Sequence, residues 1–210
     1  MRRLCMTRPP RYCACSMLRE TSNAIEALLS RRSVPALRLR EPGPSQAQIG
    51  SAIDAALCAP DHGGLKPWRF VLIHGAARAR LSELFVRRLQ QREPATPPGK
   101  LDKARTMPLT APLVIAVGAH LRQDHKVPEH EQLLATGAGV MNLLNAFHAQ
   151  GYGAIWLTGG NAYDPEIAAA LGFDAQERCL GFVYVGSMSP HDDSPPRRPE
   201  RAAFVRDWSG

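Results

Sequence analysis

The densest group of side chains able to bind a metal is His125, Glu129, His130 and Glu131. No two of its histidines stand at the i, i+4 spacing of the zinc motif H-E-x-x-H, and a polar loop leading into a helix accounts for the same residues, so no metal site is assigned. Gly137-Ala138-Gly139 begins like a dinucleotide fingerprint but lies inside a helical pattern, with Asn142 where the third glycine belongs. The chain contains no G-x-x-x-x-G-K-[ST] and no G-x-S-x-G, which removes a P-loop and a serine-hydrolase elbow. If the chain does chemistry, these absences point to a bound cofactor as its source.

Periodicity shows the elements that must position such a group. Ile25, Leu28 and Leu29 follow the capping candidates Thr21 and Ser22 at helical spacing, and the pattern ends in Arg31 and Arg32, where cations suit the helix dipole. Ser45 caps a second helix that carries Ile49, Ile53, Ala56 and Leu57 and stops at Ala59-Pro60, because a residue before proline is pushed out of the helical region. Residues 68–74 read as a strand, followed by a basic helix to about Arg92, and 93–100, with its three prolines, reads as a loop. Residues 111–119 form an apolar run of strand length, which points to a strand covered on both faces. A long helix over 128–150 comes next, then a strand at 154–157, a Gly159-Gly160 turn, a helix near 165–171 and a strand at 179–185. Strands and helices without strict alternation indicate an α+β layer fold.

The stretch from Gln132 to Tyr163 has no formal charge, but Gln132, Thr136, Asn142, Asn145 and Gln150 interrupt it. Such a helix reads as buried in a core or at a dimer seam, and not as a membrane span. A length of 210 residues suits one domain, and 44% apolar with 21% charged residues is an ordinary globular balance. The net charge of +7 is concentrated in residues 1–19, which hold Arg2, Arg3, Arg8, Arg11 and Arg19 and no acid. That is not the clustered stripe of a nucleic-acid-binding body, so no nucleic-acid partner is expected. Five cysteines, an odd number with no C-x-x-C pair, argue against a disulfide framework. The arginine-rich start lacks the apolar segment of a secretory signal, so the expected location is cytoplasmic. The expected organisation is a disordered extension over 1–20, a domain over 21–190 and a C-terminal tail over 191–210. Met17 opens the helical pattern, so residues 1–16 read either as that extension or as preceding the true start.

Four segments in order resemble the FMN-dependent nitroreductase family, and in particular its short bacterial NAD(P)H nitroreductase members. They are Arg31-Arg32-Ser33; Ala59-Pro60-Asp61-His62-Gly63-Gly64-Leu65-Lys66-Pro67-Trp68-Arg69-Phe70; Lys126-Val127-Pro128 with Glu131-Gln132 and the uncharged helix; and the glycine-rich strand from Gln150 to Gly159. The resemblance covers residues 24–186. It implies a nitroreductase-like α+β fold, with a central mixed β-sheet flanked by helices, in an obligate intertwined homodimer. It also implies that Arg31, Arg32 and Ser33 hold the FMN phosphate and ribityl chain, in keeping with the way guanidinium forks pair with phosphate oxygens. By the same resemblance Trp156, Leu157 and Thr158 lie along the flavin, and His62 reaches it from the partner subunit with Cys58 one turn before it. Trp68 reads as a core residue.

The resemblance further implies an oxidoreductase that takes hydride from NAD(P)H and reduces nitroaromatic or quinone-like small molecules by a ping-pong route, with no side chain acting as a catalytic acid or base. The alternative is a flavin-binding protein without nitroreductase turnover, serving flavin storage, sensing or breakdown. Two departures stand out. Pro35 occupies the place where many members carry a further cation, and the role of Arg197 and Arg198, near the position of a C-terminal basic pair in many members, is left open.

Overall fold

The computed structural model describes residues 24–189 and 198–210. The extension expected over 1–20 and most of the Pro- and Arg-rich start of the tail lie outside these residues. The core of the described chain is a four-stranded sheet of β1 (Trp68–His74), β2 (Leu113–His120), β3 (Tyr152–Leu157) and β4 (Glu177–Ser187), in the order β1-β2-β4-β3. Every neighbouring pair of these strands is antiparallel. The parallel component is a single bridge, Ser33 to Ala154, on the outer edge of β3.

The helices are α1 (24–30), α2 (Gln46–Leu57), α3 (Ala77–Arg92), α4 (Pro98–Thr106), α5 (Glu129–Ala149) and α6 (Pro165–Ala170). They form a layer on each face of the sheet. Val114, Ala116, Phe182 and Tyr184 face Leu81 and Phe85 of α3, whereas Ile115, Val117 and Val183 face Ile49 and Ala56 of α2 and Leu143 and Phe147 of α5. Alternate residues of β2 thus enter opposite cores, which is why its sequence is apolar without a break.

α2 starts where the sequence places it, with a reciprocal capping box: the Gln48 backbone N–H donates to Ser45 Oγ (3.3 Å) and the Ser45 N–H to Gln48 Oε1 (2.9 Å). α4 departs from the expected loop over 93–100. Proline is tolerated in the first turn of a helix, and Pro98 occupies that turn here, so the helix starts inside the proline-rich segment. From Gln132 onward α5 carries no Asp, Glu, Lys or Arg, and Gln132 itself is buried and satisfied. The Gln132 amide accepts from the Arg122 N–H (2.9 Å) and donates to the carbonyls of Arg122 and Val127 (both 3.0 Å). Trp68 packs on this helix, its indole N–H donating to the Ala135 carbonyl at 2.9 Å. A Cβ at Gly139 would lie 2.7 Å from the indole, so only glycine admits the ring. Among the described residues no helix is long and apolar enough to cross a membrane.

Candidate functional site

Arg31, Arg32 and Ser33 begin where α1 ends. The Arg31 N–H closes the helix on the Ala27 carbonyl (3.1 Å), and the chain then runs beside β3, the Val34 N–H donating to the Ala154 carbonyl (3.0 Å). Val34 is buried there and anchors the triplet, while Arg31 and Arg32 stay half-buried and Ser33 exposed. The Ser33–Ala154 bridge brings the triplet to the strand that carries Trp156 and Leu157 and runs into Thr158, so two separate segments of the sequence meet in one chain.

The surroundings of the triplet are electropositive. The Arg198 guanidinium donates to the Leu29 carbonyl (3.0 Å) and, in a short contact, to the Arg31 carbonyl, capping the open end of α1. Burial and then the charge of Arg198 hold the Arg31 guanidinium below its ordinary pKa. Ser30 Oγ lies 2.9 Å from Nε2 of His148, near the end of α5. Burial, followed by the charges of Arg31 and Arg32, pushes that imidazole below the usual histidine value. Neither His148 nor the capping role of Arg198 was legible as part of this site in the sequence.

At the far end of β3 the Trp156 indole N–H donates to the Leu180 carbonyl (3.2 Å), which fixes the half-buried ring against β4. Leu157 and Thr158 form one wall of a cavity of about 460 Å³. Its apolar floor includes Phe85 of α3 and Phe182 and Tyr184 of β4, and burial raises the Tyr184 phenol so that it stays neutral. Its rim is basic, with Lys100 and Lys103 from α4 and Arg92 from α3. Lys100 is held by Glu93 at 2.5 Å. Arg92 reaches Asn161 (2.9 Å) beside the glycine turn and makes a short ion pair with Asp164, whose side chain is buried. Burial alone would raise the Asp164 carboxyl, but Arg88, Arg92 and the N–H groups of Ile167 and Glu166 outweigh it and hold the carboxyl below its ordinary value. The network fixes the turn after Thr158 to α3.

The other sequence-predicted residues lie elsewhere. Cys58 ends α2 and is exposed. In the loop that follows, Gly63 has φ 76° and the Asp61 carboxylate accepts from the Lys66 N–H at 2.7 Å, which shapes a tight turn. His62, with 64% of its side chain exposed, pairs through Nδ1 with Glu131 at the start of α5. Together with Pro60, Leu134 and Ala138 they line an open hollow of about 330 Å³. Glu131 and His148 stand at opposite ends of α5, about 25 Å apart at 1.5 Å of rise per residue. A single chain therefore unites the triplet with Trp156–Thr158 but holds Cys58 and His62 well away from the triplet. The cluster considered for a metal is also dispersed: His125 Nδ1 accepts from the Val127 N–H (3.1 Å), Glu129 pairs with Arg178 (2.6 Å) and Glu131 with His62.

The chain is 37% identical over 185 residues to the Escherichia coli K12 protein named "Putative NAD(P)H nitroreductase YdjA", covering 87% of this chain and 98% of that one. A nitroreductase-like family protein from Bacillus cereus superposes with a TM-score of 0.73 at 21% identity, over 98% of this chain and 100% of the other. A candidate nitroreductase from Desulfovibrio desulfuricans, solved in complex with FMN, superposes with a TM-score of 0.67 at 22% identity, over 88% and 96% of the two chains. Residues 28–187 match the nitroreductase family itself, a span that holds both sheet faces and every site residue read from the sequence, and the chain belongs to that family.

Proposed function

We propose that this protein binds FMN and uses NAD(P)H to reduce nitroaromatic or quinone-like small molecules, working as a homodimer with sites shared between subunits. The observation that carries the reading is the Ser33–Ala154 bridge, which sets the Arg31–Ser33 segment beside the strand that leads to the apolar, basic-rimmed cavity at Leu157 and Thr158. The donor set fits the group. Guanidinium and hydroxyl donors suit a phosphate, and an apolar floor with cations at its rim suits a flat ring that gains negative charge on reduction. The names of the relatives support the same chemistry: an NAD(P)H nitroreductase in one case and an FMN complex in another.

When bound, FMN supplies the hydride chemistry between NAD(P)H and the acceptor in alternating half-reactions. The chain's own residues do the rest. Arg31, Arg32 and Ser33 hold the phosphate end, Trp156 and Leu157 fix the strand beside the ring, and Lys103 offers positive charge at the cavity rim. Phe85 and Phe182 keep its floor dry. No side chain is assigned as a general acid or base.

The dimer reading rests on α5. Leu134 and Met141, seven residues apart and so on one face, are 68% and 40% exposed, an apolar stripe that a second copy would cover. The roughly 25 Å of helix between Glu131 and His148 separates His62 from the triplet and supports the reading that His62 serves the partner's flavin. The free thiols of Cys58 and Cys179 suit the cytoplasm, and the FMN-binding domain is taken as residues 21–190.

The test is the absorption spectrum of the purified protein, followed by NADPH oxidation with a nitroaromatic acceptor. Flavin bands that bleach anaerobically on adding NAD(P)H, and steady turnover with the acceptor, are the expected results. A colourless protein that takes up no FMN sinks the reading, and bleaching without turnover leaves a flavin-binding protein of another role.

A further inference from the structure

His148 is the single ionisable group on α5 between Glu131 and the helix end, and it lies beside the arginine triplet and not in the core. Its contact is with Ser30 of α1, at 2.9 Å between Nε2 and Oγ. The serine oxygen also lies 3.2 Å from the Ala27 carbonyl, one turn back. A hydroxyl has one proton to give and two lone pairs to receive with. Ser30 can therefore donate to an unprotonated Nε2, or turn its proton to the Ala27 carbonyl and accept from Nε2–H. Both charge states of the imidazole are hydrogen-bonded without moving a heavy atom.

The balance between the two states is electrostatic. α1 and its end bring Arg31 and Arg32 to face the ring, and Arg198 of the C-terminal segment stands beside Arg31. α5 itself contributes no Asp, Glu, Lys or Arg from Gln132 onward. The cations disfavour a further positive charge on the ring. A phosphate dianion among the same arginines reverses the sign of the local potential.

We propose that His148 is a further member of the anion site, taking up a proton as the FMN phosphate binds and returning it when the cofactor leaves. The proposal rests on the FMN reading above and adds a positioning residue to it: protonated His148 draws the phosphate toward the α1 end, while Ser30 keeps the ring in one orientation. The sign follows from linkage. Because the ring's pKa is lower in the empty protein than in the loaded one, FMN affinity should be greatest below the empty-state value. The histidine's share of that affinity disappears as pH rises through the loaded-state value.

The test uses apoprotein and three probes: FMN, riboflavin, which lacks the phosphate, and inorganic phosphate. Calorimetric titration near neutral pH in two buffers of different ionisation enthalpy counts the protons taken up on binding. FMN and inorganic phosphate should both take up a fraction of a proton more in the wild type than in His148→Gln, and riboflavin should show no difference. His148→Gln should also weaken FMN about five- to tenfold at pH 6 and about twofold or less at pH 8.5, because a charge-assisted contact at a half-exposed site is lost only where the ring was charged. Should His148→Gln fold poorly, the imidazole resonance of His148 in the wild type can be titrated directly, and its pKa must rise when FMN is added. Equal proton counts in the two proteins, or an unmoved His148 resonance in the loaded wild type, overturn the proposal and leave the FMN reading standing. Failure of the apoprotein to bind FMN at all overturns both.

Discussion

The two ends of α5 carry charge in opposite ways. At the N-terminal end the carboxylates are satisfied by side-chain partners, Glu129 by Arg178 and Glu131 by His62, and Trp68 packs over the N-terminal half of the helix, bonded to the Ala135 carbonyl and reaching the mid-helix Gly139. At the C-terminal end Arg31, Arg198 and His148 have other cations, a serine and main-chain carbonyls as neighbours. An arrangement whose charges already cancel holds the fold or an interface together, whereas one that gathers like charges at a cost in repulsion has to be offset by something it binds. On the proposed reading, the C-terminal end takes the phosphate of the chain's own site, while the N-terminal end serves the fold and the dimer and meets flavin through the partner-directed His62, although both ends came from motifs of the same family pattern.

The largest effect should come from reversing charge at the binding end. Arg31→Glu places an anion where the phosphate is proposed to sit and should weaken FMN on the order of a thousandfold, with a melting temperature close to that of the wild type. Flavin fluorescence quenching on titration into apoprotein measures it, and an affinity within threefold of wild type would break the comparison. Trp68→Ala tests the other end. Emptying the space beside Gly139 should cost about 3 to 5 kcal/mol of stability by urea unfolding, while the folded fraction binds FMN normally. A stable variant that has lost FMN would mean that this end serves the ligand beyond the His62 contact.

A third effect sharpens the comparison across the dimer. Arg32→Glu and His62→Glu should each lose FMN, the first against the phosphate and the second against the ring edge. If His62 serves the partner's site, the heterodimer of the two variants has one doubly damaged site and one intact site. Purified with two tags, it should recover about one flavin per two chains. A folded heterodimer that recovers none places both residues on the same flavin within one chain.

Much of this was legible in the sequence, and the exceptions have physical reasons. β2 was readable because it is an unbroken apolar run of strand length, and α2 because its apolar residues recur at helical spacing behind the cap Ser45. α4 was hidden because three prolines resemble a loop when nothing shows that Pro98 occupies a first turn. Lys100, Lys103 and Met107, which reach the cavity from α4 and the turn after it, were hidden with it. The arginine triplet was visible as a motif, but its setting beside β3 depends on a single bridge that no periodicity encodes. His148 left one signal, a titratable group in an otherwise uncharged stretch, but that does not say whether the group is buried or bonded.

The smallest effect concerns the His62–Glu131 pair. Its partners are 64% and 35% exposed, so solvent screens the attraction and the two side chains lose freedom in forming it. Glu131→Gln keeps the shape and a hydrogen-bond acceptor while removing the charge, and should change stability by less than about 1 kcal/mol in chemical unfolding. Its effect on FMN should be about twofold or less, because the carboxylate positions His62 without itself belonging to the proposed contacts. Raising the salt concentration should narrow even this small difference, as expected for an exposed pair. A loss of FMN as large as that in Arg31→Glu, with the fold intact, would show that the Glu131 carboxylate, and not His62 alone, is part of the binding site. The division of α5 into a binding end and an architectural end would then have to be abandoned.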